Sequence, residues 1–290
     1  MKKLFGRTQH YFSLVKFSHT VFAMPFALAG YFIGATQPRY GFSLRTFMLV
    51  LACMVFARSA AMGFNRWADV RFDSLNPRTA VREIPAGKIT PRQAMIFVIV
   101  SSLFFIVSAG LLNRLTLFLS PVALLVILGY SYTKRFTPLC HLVLGLGLSL
   151  APIGAYIAVT GSFALLPLIY SVIVLTWVSG FDIIYSLQDD EFDRETGLYS
   201  IPAVMSRGKA LGVSAALHLI TVVMVAVAGI SGSAGYIYWT GAAVFIVMLV
   251  YQHLIVRPDD LSRVNMAFGT TNGIAGVIFG LAVVLDLLLL

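Results

Sequence analysis

Residues 65–88 read NRWADVRFDSLNPRTAVREIPAGK, and they decide the fold. The stretch holds eight charged residues, yet both flanks are long apolar runs. A charged segment between runs of about twenty apolar residues is a loop at a membrane face, because that length crosses a bilayer as a helix. Composition agrees: 59% of the 290 residues are hydrophobic and 11% charged, with a mean hydropathy of +0.88. Soluble domains carry about a quarter charged residues. Within the stretch, Asn65, Asp69 and Asp73 recur at i, i+4 and i+8, which on a helix puts them on one face. Oxygen ligands in that array suit a hard cation such as Mg²⁺, which completes a carboxylate-poor shell with substrate phosphates.

Outward from this loop the chain reads as an all-α, polytopic membrane protein with one domain, residues 1–290, since no linker-like stretch divides it. A basic interfacial segment, Met1–Ser18, leads in. Nine spans follow, at about His19–Thr36, Thr46–Phe64, Arg92–Leu112, Thr116–Tyr132, Leu139–Val159, Ala164–Tyr185, Lys209–Ile230, Ala234–Val256 and Asn265–Leu290. The first fifteen residues lack a small-residue cleavage site, so no cleaved signal peptide is expected. With the N-terminus inside, 18 of the 21 Lys and Arg lie on the cytoplasmic side; only Arg39, Arg45 and Arg114 lie outside. That asymmetry predicts a cytoplasmic N-terminus and an outer C-terminus. It also accounts for the net charge of +9 without nucleic acid. Eleven of the twelve acids share the same side, Asp286 being the exception, and the topology rule does not explain acids. Cys53 and Cys140 have no metal spacing, and the spacings Gly30–Gly34, Gly269–Gly273 and Gly276–Gly280 predict close helix packing.

A second acidic cluster, DIIYSLQDDEFDRETGLYSIP, begins at Asp182, where the sixth span ends. Asp182, Asp189 and Asp193 fall at i, i+7 and i+11, roughly one helical face, with Tyr185 near it and Asp190 and Glu191 pointing elsewhere. A carboxylate at the membrane edge, such as Asp182, needs a partner or a function. Four carboxylates at one site repel one another, and divalent cations remove that repulsion. The two clusters therefore predict two or more Mg²⁺ ions bridged by a diphosphate. Basic residues on the same side suit that anion: Arg78, Arg82 and Lys88 after the first cluster, Lys134 and Arg135 after the fourth span, and Arg194 after the second cluster. Lys134 and Arg135 also fit a plain topology determinant. Arg58, inside the second span, either faces the bundle interior or snorkels to the cytoplasmic edge. His19 is a substrate-contact candidate near the basic lead-in. His141, His218 and His253 lie in or near apolar spans, with no spacing that suggests zinc.

NRWADVRFD resembles the first, NDxxDxxxD-type motif of the UbiA superfamily of intramembrane aromatic prenyltransferases. DIIYSLQDDEFDRETGLYS resembles its second motif, DxxYxxxDxxxDxxxGxxS, and YSYTKR resembles its Tyr-to-Lys-Arg turn after the fourth helix. The similarity runs along the whole chain. VKFSHTVFAMPFALAG and RSAAMGFNRWAD resemble the 4-hydroxybenzoate polyprenyltransferase-like subgroup, which includes futalosine-route menaquinone enzymes. Two positions depart from the family: Arg66 stands where many relatives have Asp, and Glu83 follows Arg82 where many have Pro.

The resemblance implies nine helices around a central cavity with a cytoplasmic cap. It implies that Asn65, Asp69 and Asp73 hold one Mg²⁺ and that Asp189 and Asp193 hold a second. Lys134 and Arg82 would steady the diphosphate, and Asp182 and Tyr185 would sit beside the reacting carbon. The expected reaction moves a polyprenyl group from its diphosphate to an aromatic acceptor, 4-hydroxybenzoate or a futalosine-derived aromatic, in quinone biosynthesis. If the acceptor carries a carboxylate, Arg135, Arg58 or His19 could bind it. The expected setting is a prokaryotic plasma membrane. The alternatives are the same chemistry on a naphthoate, homogentisate or tetrapyrrole acceptor, and a cation-coupled transporter.

Overall fold

A computed structural model of the chain describes residues 13–14 and 24–289. The described elements are all helical: α1 Met24–Ala35, α2 Leu44–Ala68, α3 Val70–Leu75, α4 Pro91–Leu112, α5 Arg114–Thr133, α6 Cys140–Thr160, α7 Leu165–Ser186, α8 Asp190–Glu195, α9 Ile201–Val204, α10 Arg207–Ser231, α11 Tyr236–Ile255 and α12 Asn272–Leu289. Eight of the helical segments are long and apolar enough to cross a bilayer, and α1 is a shorter apolar helix. The protein is thus multi-pass, and the expected spans are matched within a few residues. The start of the first span lies outside the described residues, as do His19 and most of the basic lead-in.

Local signals set the helix ends. Thr90 caps α4: its Oγ1 accepts from Gln93 N at 3.2 Å, Gln93 Oε1 accepts from Thr90 N at 3.0 Å, and Pro91 supplies the preset first turn. Asn113 and Thr116 make the same reciprocal pair at the start of α5. Gly161, with φ of 67°, ends α6 in a left-handed conformation that glycine adopts without steric cost. Asp286, the lone acid on the far side, accepts from Gly235 N at 2.8 Å and Tyr238 N at 3.0 Å, so it caps α11.

The long helices run side by side in the order α2, α4, α5, α6, α7, α10, α11, α12, with α1 packed on α6 and α12 to close the arrangement. α7 is apolar around its circumference and lies inside: Ile173, Val174, Trp177 and Ile183 are all fully buried. Small residues allow the close approaches. A Cβ on Gly30 would lie 2.0 Å from the Pro152 carbonyl oxygen, and one on Gly280 would lie 2.2 Å from Pro25 Cβ. The last span does not begin as a regular helix. Met266–Thr271 winds with wider turns, and Asn272 stabilises this by donating to Ala267 O at 3.0 Å. Asn272 Oδ1 accepts from both Trp177 Nε1 and Gln252 Nε2, so three helices share one buried amide.

Candidate active site

α2 carries Asn65 on its last turn and ends at Ala68. Asp69 is the junction to α3, with φ −93° and ψ 7°. The i→i+4 ladder survives the junction: Asp69 N donates to Asn65 O at 3.0 Å and Asp73 N to Asp69 O at 2.8 Å. The three side chains therefore stay on one side, and Asn65 Nδ2 donates to Asp69 Oδ2 at 2.9 Å. Asp73 is buried against Arg82, whose Nη1 is 2.5 Å from Oδ1.

The second cluster is less regular than its spacing suggests. α7 stops at Ser186, and Leu187–Asp189 form one tight turn before α8. That turn advances about 120° per residue instead of 100°, so the expected single face from Asp182 to Asp193 is broken. Asp189 and Asp193 face a polar pocket, whereas Asp182 does not line it. Asp182 instead meets His141 Nδ1 at 2.7 Å. Asp190 points away, as expected, and Arg207 forks it at 2.8 and 2.9 Å.

The pocket between the clusters has a volume of about 120 Å³. Asp69, Asp73, Asp189 and Asp193 enter it from two sides, and Arg78, Arg82, Lys134 and Arg135 enter among them. Each acid meets one base: Asp73 with Arg82, Asp189 with Arg78, Asp193 with Lys134 at 2.7 Å, and Asp69 with Arg135 at 3.4 Å. Arg78 and Asn76, both from the first loop, reach across to Asp189; Nε and Nδ2 each donate at 3.0 Å. Arg78 Nη1 also donates to Tyr185 Oη at 3.0 Å. Burial, with the Asp73 charge beside it, pushes the Asp69 carboxyl up to about 6, while Arg135 pulls the other way. Burial works against the Lys134 charge, but Asp193 beside it more than offsets this and holds the ammonium up.

Of the residues singled out in the sequence, Arg194 is corrected. Its guanidinium turns to the carbonyls of Ala203 and Pro202, at 3.3 and 3.5 Å, and is not part of the pocket wall. Lys88 is exposed and also outside the wall. Arg135 is partly committed, donating to Ala68 O at 2.6 Å and lying 4.6 Å from the Tyr132 ring centre. Asn76 and His141 were missed. Asn76 reads as part of an Asn-Pro turn, and His141 as one polar residue in an apolar run.

The donor set fits Mg²⁺. Among the described residues, Asp73 Oδ2 is a buried oxygen with no hydrogen bond, and Asp193 Oδ1 meets only the Lys134 ammonium. Among the described residues no three acids, histidines or cysteines converge on one point. A cation here would thus take few carboxylates and need outside oxygens, the pattern of Mg²⁺ bound with a phosphate.

A second cavity, about 360 Å³ and almost wholly apolar, lies among α2, α4, α5 and α6. Tyr130 lines it, one helical turn before Lys134 in the polar pocket, so the two spaces adjoin along α5. Arg58 also lines this chamber. Its Nε is buried without a hydrogen bond among the described residues.

The model of the UbiA prenyltransferase family matches residues 23–280. A 4-hydroxybenzoate octaprenyltransferase of Aeromonas salmonicida (strain A449) is 31% identical over 251 residues, 85% of this chain and 84% of the relative. One of Nitrosospira multiformis is 31% identical over 234 residues, 81% and 80% of the two chains. The apo structure of a UbiA homolog from Aeropyrum pernix K1 superposes with a TM-score of 0.83 at 35% identity, covering 92% of this chain and 98% of the other. A UbiA homolog from Archaeoglobus fulgidus, solved bound to DMAPP and Mg²⁺, shares the fold with a TM-score of 0.76 at 21% identity, over 97% and 99%. The family match spans nearly the whole chain and brings both acidic motifs with it, so the chain belongs to the UbiA prenyltransferase family and is a membrane-embedded prenyltransferase.

Proposed function

We propose that the protein transfers a polyprenyl group from a polyprenyl diphosphate to an aromatic acceptor, with Mg²⁺, in quinone biosynthesis. One observation carries this reading: two acidic clusters and four basic side chains meet in a small polar pocket that adjoins an apolar chamber. The pocket suits a diphosphate and the chamber an isoprenoid tail. Asn65, Asp69 and Asp73 would hold one Mg²⁺, and Asp189 and Asp193 a second. Bound there, the cations neutralise charge developing on the departing diphosphate.

The chain's own residues supply the rest. Arg78, Arg82, Lys134 and Arg135 each pair with one of the four carboxylates. With those carboxylates holding metal, Arg78, Arg82, Lys134 and Arg135 would be free to bind phosphate oxygens and stabilise the leaving group. The apolar chamber keeps water from an allylic cation. Asp182, with Tyr185 nearby, receives the ring proton or stabilises the cation. Arg58, charged and with an Nε that has no hydrogen bond among the described residues, binds an acceptor carboxylate, which suits 4-hydroxybenzoate or a futalosine-derived aromatic carboxylate. The acids gather at one end of the bundle with basic partners, which speaks against a transporter that uses midplane charges. The charge asymmetry supports a cytoplasmic setting for that end and an outer C-terminus, and the proposed setting is a prokaryotic plasma membrane.

The test is protein in lipid supplied with labelled polyprenyl diphosphate, Mg²⁺ and either acceptor. Prenylated product with one acceptor, abolished by EDTA, supports the reading and names the branch. Mg²⁺-dependent diphosphate release without product would keep the ionisation and reject both acceptors. Neither release nor binding would reject the diphosphate site.

A further inference from the structure

The His141–Asp182 contact is the most built feature that the reading above does not use. His141 is the second residue of α6, and its side chain is 3% exposed, against 21% for Asp182. It is held on three sides. Ser179 Oγ donates to His141 O at 3.1 Å, which fixes its main chain to α7 one turn before Asp182. Ile201 N lies 3.3 Å from Nε2. Asp182 Oδ2 lies 2.7 Å from Nδ1.

The partners settle the proton. A main-chain N–H only donates, so Nε2 facing Ile201 must offer its lone pair. The single proton of the neutral ring then sits on Nδ1 and is donated to Asp182. One carboxylate oxygen is thereby engaged, and the other carries no hydrogen bond among the described residues. The anchor on the far side belongs to the same cap that touches the metal-ligand candidates: Ser200 Oγ donates to Asp193 Oδ2 at 2.9 Å, and Ile201 follows it. A continuous line of contacts therefore runs from Asp193 through Ser200 and Ile201 to His141 and Asp182.

We propose that His141 is a positioning residue of the prenyl transfer: its imidazole, bridging Ile201 N–H and Asp182, fixes the Asp182 carboxylate relative to the diphosphate end of the site without touching substrate. This rests on the reading of Asp182 as a group beside the reacting carbon. A bond that only braces α6 against α7 would change stability and leave turnover alone. A positioning bond changes turnover, because misplacing a reacting group by about an ångström costs on the order of 10²-fold.

The experiment compares His141→Met, His141→Gln, Asp182→Asn and the double variant His141→Met/Asp182→Asn in lipid, with kcat and KM measured for both substrates. Met fills similar space without hydrogen bonds. Gln offers an amide donor for Asp182 and a carbonyl acceptor for Ile201. The expected result is a kcat lowered about 10²-fold in His141→Met with an unchanged KM for the diphosphate, recovery to within about tenfold of wild type in His141→Gln, and a double variant no slower than Asp182→Asn. If His141→Met does not fold, His141→Asn, too short to span both partners, takes its place with the same expected loss. The proposal is overturned if the Met or Asn variant keeps wild-type kcat, if Gln gives no recovery, or if the losses multiply in the double variant. Should Asp182→Asn itself turn over normally, the reading of Asp182 fails first; an inactive Asp182→Asn beside an active His141→Met refutes the His141 inference alone.

Discussion

Replacing Arg58 by Met separates binding from folding at one residue. Arg58 lies in an apolar chamber, and its Nε is buried without a hydrogen bond among the described residues. An unsatisfied buried donor costs about 1–3 kcal/mol, so Met, apolar and unbranched, is expected to stabilise the folded protein by about 1 kcal/mol or more. A hydrogen bond from a charged donor to an acceptor carboxylate contributes about 1.5–3 kcal/mol, or roughly 10- to 150-fold in affinity. The acceptor KM should rise by that factor, while the KM for the polyprenyl diphosphate stays put. Phenol, which lacks the carboxylate, supplies the control, because its weak turnover should be indifferent to the change. The assays are thermal unfolding in detergent and steady-state kinetics with both acceptors. Arg58→Met with an unchanged acceptor KM, or with equal losses for the acid and for phenol, would refute the assignment. A less stable variant would refute the claim that the guanidinium is held at a cost.

The raised Asp69 carboxyl sets a pH dependence. Mg²⁺ needs the carboxylate, so below about pH 6 a proton competes and the Mg²⁺ required for half-maximal binding should rise tenfold per unit, while staying flat above it; calorimetric Mg²⁺ titrations at pH 5, 6 and 7 check this. Lys134→Met leaves the fully buried Asp193 without its ammonium. The loss should be roughly 2 kcal/mol of stability, below the 3–5 of a fully buried pair because Lys134 is a third exposed, and melting with added Mg²⁺ should recover part of it. Ala123→Trp narrows the apolar chamber; turnover with a long polyprenyl diphosphate should fall at least tenfold more than with a dimethylallyl one, as paired kinetics would show.

The bundle is legible in the sequence because bilayer length and hydropathy fix long helices one at a time, and capping residues such as Thr90 and Asn113 mark where they start. The first acidic motif is legible for a related reason. Its i, i+4, i+8 period is local, and the ladder runs through Asp69 even though α2 ends there. The second motif is only half legible, since one tight turn at Leu187–Asp189 rotates Asp189 and Asp193 away from Asp182. Contacts between distant residues are hidden. Nothing local to Asn76 announces Asp189. Nothing local to His141 announces Asp182, 41 residues on. Arg194 misleads because adjacency to an acidic motif in sequence does not fix the direction of a side chain at a helix end; nearby carbonyls took it instead.

In the proposed function the two motifs act together on one diphosphate through Mg²⁺. The most direct test measures binding of a non-reactive polyprenyl thiolodiphosphate by calorimetry, with and without Mg²⁺, in wild type, Asp69→Asn and Asp189→Asn. The expected result is binding that requires Mg²⁺ and weakens at least 10²-fold in either variant, one from each motif. Binding that is equally tight without Mg²⁺, or that survives the loss of either aspartate, would contradict it.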